Sequence, residues 1–77
     1  MNNITWYVDG QGWCSFIYEN VAYWVDFGDI VGTRNPEFIM AYWTLVTEEQ
    51  ILHLKEYKIL KKYYYKMQSN LYKELMK

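Results

Sequence analysis

From Glu48 to Lys77 the chain runs thirty residues without a glycine or a proline: EEQILHLKEYKILKKYYYKMQSNLYKELMK. With no breaker and an abundance of Lys, Leu and Glu, this stretch favours helix over any other regular structure. Its start is marked. Thr47 is followed three residues later by Gln50, the spacing of a capping box. Val46 and Ile51 stand at the two staple positions. Glu48 and Glu49 lie where the helix dipole is positive, and the lysines come later, toward its negative end. The expectation is one helix over about 48–76. Ser69-Asn70 marks where a kink or early stop would fall, because both side chains compete for backbone hydrogen bonds.

The first half reads differently. ITWYV (4–8) is β-branched or aromatic throughout and predicts a strand. Asp9-Gly10-Gln11-Gly12 follows, an Asp-Gly hairpin signal in which glycine supplies the positive φ of the turn. WCSFIY (13–18) is the return strand, Glu19-Asn20 a second reversal, and VAYWVDF (21–27) a third strand. GDIVGTRN (28–35) reads as a connector. PEFIMAYWTLV (36–46) carries two signals. Asn35-Pro36-Glu37 resembles a helix start, whereas the aromatic and β-branched residues after it suit a strand. A fourth strand at about 38–46 is the reading taken, with a short helix as the alternative. The fold class is therefore α+β: a small antiparallel β-meander of three to four strands (about 4–46), then one long C-terminal amphipathic α-helix, in a single domain spanning 1–77.

Size limits the core. A 77-residue chain buries only about 60% of the surface it exposes when unfolded. It carries four Trp, nine Tyr and three Phe, and four tryptophans cannot all hide in so thin a core. Some are expected at a contact surface. The single cysteine, Cys14, allows no intrachain disulfide and fits a reducing compartment. MNNITWYVDG has no basic n-region and no long apolar run, so it does not read as a signal peptide. The longest apolar run, FIMAYWTLV, is about half the ~20 residues a membrane helix needs. A soluble, cytoplasmic protein without membrane association is expected.

A net charge of −1 conceals a bipolar chain. Residues 1–50 hold seven carboxylates against Arg34, a net −6, and residues 51–77 hold seven lysines against two glutamates, a net +5. Such asymmetry is a clue to partners. On a helical projection Leu60, Tyr64, Met67, Leu71 and Leu75 share one side, while Lys55, Lys62, Lys66, Lys73 and Lys77 share the other. Tyr57, Leu60, Tyr64, Met67 and Leu71 also follow heptad-like spacing. A straight helix this long would overhang a small sheet, and the strands carry aromatics on both faces. Both features call for cover: a homodimer or higher oligomer through the helix, the sheet face or both is expected, with another protein as the target. The contact candidates are Trp6, Trp13, Trp24, Trp43, Tyr64 and Leu71, since Trp and Tyr dominate interface energetics. The alternative is nucleic acid, held by Lys55, Lys62, Lys66 and Lys73 with neighbouring tyrosines. Against it, a lysine-rich outer face also simply keeps a helix soluble, and the acidic half would repel phosphate.

No catalytic motif survives scrutiny. Asp26-Phe27-Gly28 spells the kinase metal-binding triplet, but no Gly-rich loop, lysine strand or catalytic loop accompanies it, so it reads as a strand ending in a turn. Gly10-Gln11-Gly12 precedes no helix and is not a phosphate loop. Cys14 and His53 are single residues of their kinds and too few for a structural zinc site; Cys14 reads as a buried small hydrophobe and His53 as a packed or rim histidine. Asp26, Asp29 and Glu37 read as a solvated loop. A non-enzymatic binding protein, without cofactor or metal, is expected. In overall profile (small, single-domain, rich in Asn, Lys and Tyr, with no catalytic set) the chain resembles the small bacteriophage proteins that bind and block host proteins, anti-defence inhibitors among them. That resemblance implies a host-protein target in the host cytoplasm.

Overall fold

The computed structural model describes residues 4–75, with side chains as far as Ser69. Its elements are β1 (Ile4–Val8), β2 (Cys14–Tyr18), β3 (Val21–Asp26), β4 (Asp29–Thr33), α1 (Glu37–Tyr42), β5 (Thr44–Val46), α2 (Glu48–Ile51) and α3 (Lys55–Leu75). The strands form one antiparallel sheet in the order β4-β3-β2-β1-β5. The α+β class holds: a meander followed by a long helix that packs on the sheet.

Turn chemistry sets the register. Asp9 organises the β1–β2 loop, its Oδ1 accepting from the N–H of Gln11 at 2.9 Å and of Trp13 at 2.7 Å. The positive φ of this loop falls at Gly12 (91°) rather than in the Asp-Gly pair itself. The β2–β3 turn places Glu19 and Asn20 at φ 49° and 67°, and the β3–β4 turn places Phe27 and Gly28 at 51° and 82°. Two consecutive positive φ values match the right-handed twist of the strands they join.

Three expectations are corrected. First, GDIVGTRN is not merely a connector: Asp29–Thr33 is a strand paired with β3 from Asp26↔Asp29 to Ala22↔Thr33. Gly32 disguised it. The Tyr23 ring lies over this glycine, and an added Cβ would sit 3.1 Å from Tyr23 Cδ1. An aromatic covering a strand glycine restores the packing that the missing side chain forfeits.

Second, residues 38–46 are not one strand. Pro36 and Glu37 do open a helix, α1, and Trp43 then turns extended so that β5 pairs antiparallel with β1. The sheet therefore has five strands rather than three or four. β4 and β5 lie on opposite edges, so the connection between them must cross the sheet. It does so with Ile39 buried beside Tyr7 and Ala22, with Ile17 and Trp43 around them.

Third, the helix is interrupted at Leu52–Leu54. Thr47 does begin a turn, its N–H donating to Gln50 Oε1 at 2.9 Å. Leu54 N–H then bonds to the Ile51 carbonyl at 3.0 Å, three residues back. The break has a consequence that an unbroken helix could not deliver. Glu48 accepts hydrogen bonds from Tyr57 Oη at 2.7 Å and from Lys61 Nζ at 2.9–3.0 Å. In a straight helix those residues would stand roughly 13 and 20 Å further along the axis.

The main core lies between the sheet and α3. Trp6, Cys14 and Phe16 meet Ile51, Tyr57, Leu60 and Tyr64, all buried. Phe16 is its centre, with ring centroids at 5.0 Å from Tyr23, 5.2 Å from Trp6 and 5.9 Å from Tyr64. Burial of a side chain such as Leu60 contributes about 1.5–3 kcal/mol. Ser15 is buried too, but its Oγ donates to the Tyr23 carbonyl at 2.8 Å, so no polar cost is left. Among the described residues no helix is long and apolar enough to cross a membrane.

Candidate protein-contact surface

With α3 on one face of the sheet and α1 on the other, the aromatics on both faces find cover within the chain. Of the large apolar side chains that remain exposed, four lie on α1 and β5, and Trp13, Phe27, Leu52, Ile59 and Tyr65 lie elsewhere. Ile39 points into the second core, and Phe38 and Met40 flank it on either side of α1. Phe38 is 43% exposed, Met40 58% and Tyr42 84%. Leu45 on β5 is paired with Tyr7, whose side chain belongs to the same α1-covered core, and it is 63% exposed. These are four exposed large apolar side chains within eight residues, the last of them on an edge strand. Phe38 is held by an edge-on contact with Trp24, ring centroids 6.1 Å apart.

The six contact candidates divide. Trp6 and Tyr64 are core residues, 3% and 2% exposed, and are not available to a partner. Their places in the pattern hid this: an aromatic on a strand or helix face reads the same whether it meets its own sheet or a foreign surface. Trp24 and Trp43 are partly buried at the margins of α1, and Trp13 is exposed at the β1–β2 loop. The side chain of Leu71 lies outside the described residues. The heptad-like row is directed inward: Tyr57, Leu60 and Tyr64 are buried and Met67 packs against them. Phe38, Met40, Tyr42 and Leu45 were missed because a strand reading obscured them; the Pro36-Glu37 helix signal was the clue that could have found them.

Of the lysine stripe, Lys55, Lys62 and Lys66 are exposed, as is Lys58, while the Lys73 side chain lies outside the described residues. Lys61 is committed elsewhere. It pairs with Glu48 and its Nζ lies 5.6 and 5.1 Å from the ring centroids of Tyr64 and Tyr65. Burial pushes the Glu48 carboxyl up, but hydrogen bonds from Tyr57 and Lys61 and the lysine charge outweigh it and hold the group below its ordinary value. The Trp6 indole N–H is buried and has no hydrogen-bond partner among the described residues. This cluster ties α2 to α3.

Cys14 is buried, and burial first and the charge of Glu56 second push its thiol up to about 12. That environment makes the thiol inert. His53, expected to be a packed or rim residue, is exposed in the turn between α2 and α3. Among the described residues no group of three or more His, Cys, Asp or Glu is placed to hold a metal ion. No protein-family model, curated protein or solved structure matches the chain.

Proposed function

We propose that the protein is a small non-enzymatic binding module that docks another protein on its α1–β5 face. The observation that carries this reading is the exposure of Phe38, Met40, Tyr42 and Leu45 within eight consecutive residues, whereas the other exposed large apolar side chains are scattered along the chain. Burying several such side chains at about 1.5–3 kcal/mol each is enough to anchor an interface. On this reading occupancy of the partner's surface is the activity, and inhibition of that partner is the expected consequence. The test compares a tagged wild-type protein with a Tyr42→Asp, Leu45→Asp double variant in nuclease-treated host lysate. A discrete protein retained by the wild type and lost by a folded variant supports the reading; equal retention by both refutes it. Sedimentation of the wild type alone, over a range of concentrations, shows whether the partner is a second copy.

A second reading is nucleic-acid binding along α3, favoured by exposed Lys55, Lys58, Lys62 and Lys66 with Tyr65 61% exposed beside them. It requires binding that weakens steeply with salt and disappears when Lys55, Lys62 and Lys66 become glutamine.

A further inference from the structure

The two outer sides of the molecule carry opposite charge. α3 turns Tyr57, Leu60 and Tyr64 inward, so the positions on its far side point away from the sheet. Those positions hold Lys55, Lys58, Lys62 and Lys66, all exposed, with Ile59 and Tyr65 exposed among them. Up to Ser69, α3 has one carboxylate, Glu56, and its Oε1 is buried. Arg34 lies on this side of the sheet too, bordering a groove with Glu19, Tyr23 and Met67, the last two of which pack against the α3-side core.

The α1 side is the reverse. Trp24 meets Phe38 of α1, which fixes the sheet face it stands on. Asp26 is two residues further along that face, and Asp29 is its cross-strand partner. Glu37 opens α1 and is exposed. These three carboxylates share the α1 side with the exposed Phe38, Met40, Tyr42 and Leu45. Among the described residues no lysine or arginine is placed with them.

We propose that the α1–β5 face takes the lysine face of α3 from a second copy of this chain, so that copies stack head to tail. The inference rests on the α1–β5 face being a contact surface and names its occupant. Charge decides the pairing. An α3–α3 contact would set lysine against lysine, and an α1–α1 contact would set Glu37, Asp26 and Asp29 against their own copies, and like charges oppose both. An α1–α3 contact sets carboxylates against ammonium groups. It also brings Ile59, Tyr65 and the apolar lysine stems to Phe38, Met40, Tyr42 and Leu45. The two faces lie on opposite sides of the sheet. A copy bound through one still presents the other, so the contact is heterologous and assembly continues past the dimer.

The test is sedimentation velocity on the nuclease-treated full chain over a range of concentrations, with two double variants made at exposed positions. Tyr42→Ser with Leu45→Ser removes apolar anchors from the α1 side, and Lys58→Glu with Lys62→Glu reverses charge on the α3 side. The wild type should form species larger than a dimer, and rising salt should weaken them as the opposed charges are screened. Each variant alone should sediment as a monomer with a native near-ultraviolet circular dichroism spectrum. Mixed in equal amounts, the two should form a heterodimer and nothing larger, because each supplies the face that the other lacks. A wild type that stays monomeric at every concentration overturns the stacking and leaves the α1–β5 face to the lysate comparison. Stacking undiminished by Tyr42→Ser with Leu45→Ser overturns both the stacking and the α1–β5 reading. A wild type that stops at a dimer, or variants that fail to complement, would overturn the head-to-tail contact. Association present only before nuclease treatment would overturn it in favour of nucleic acid on α3.

Discussion

Replacing Phe27 with asparagine should stabilise the protein. The ring is 99% exposed, so its removal forfeits almost no buried area, and at about 25 cal/mol per Å² the lost burial is close to zero. The left-handed conformation costs an ordinary L-residue about 1–2 kcal/mol, and asparagine avoids much of that through local hydrogen bonding. The substitution also creates Asn-Gly, the pair best suited to two successive positive φ values. The expected net gain is about 1 kcal/mol, which for a domain of this size raises Tm by about 4–8 °C. Calorimetry and urea unfolding on both proteins would measure it. Equal or lower stability in the variant, with an unchanged denaturant slope, would refute the reasoning. It would mean that the ring contributes contacts to the folded state or that the turn is not left-handed.

Other consequences are open to the same instruments. Leu60 is fully buried between α3 and the sheet, so Leu60→Ala should cost about 2–5 kcal/mol in urea unfolding, independent of protein concentration; a change in oligomer mass without loss of stability would show that α3 packs against another copy. Glu48 and Lys61 form a part-exposed pair, so a double-mutant cycle with Glu48→Gln and Lys61→Met should give coupling of about 0.2–1 kcal/mol. Because the Glu48 carboxyl is held below its ordinary value, its contribution is present above the usual carboxylate range and fades as pH falls through the lowered one, and Glu48→Gln should flatten that part of the acid profile. At the alkaline end, burial first and the Glu48 hydrogen bond and charge next push Tyr57 from 10.0 to about 12. The folded state keeps that phenol proton longer than the unfolded chain. Its stabilisation is therefore complete below pH 10 and lost on the way to 12; Tyr57→Phe should lessen this alkaline loss, to which Cys14, Tyr23 and Tyr64, all raised by burial, also contribute. Cys14 should react with a thiol reagent only as fast as the protein opens; rapid labelling of native protein would contradict its burial.

Much of the architecture was legible because it rests on local chemistry. Asp9, Glu19-Asn20 and the β-branched runs announced three strands of the meander, and each hairpin is closed by contacts between near neighbours. Gly32 concealed β4, since its strand character comes from Tyr23 lying across from it rather than from anything in its own side chain. The contact surface was less legible still. Trp6 and Trp13 are the same residue type on the same hairpin, yet one is in the core and the other is exposed.

By itself the sequence determined that a short antiparallel sheet would be followed by a lysine-bearing helix, because strand propensity, turn residues and the lack of helix breakers all act over a few residues. Tertiary structure alone decided which aromatics are exposed. Pro36–Val46 must cross the sheet to reach its far edge, and in crossing it covers one aromatic face and presents another. Likewise the helix breaks at Leu52–Leu54, where Glu48 folds back to meet Tyr57 and Lys61, a hydrogen-bonded contact between side chains that no local pattern records.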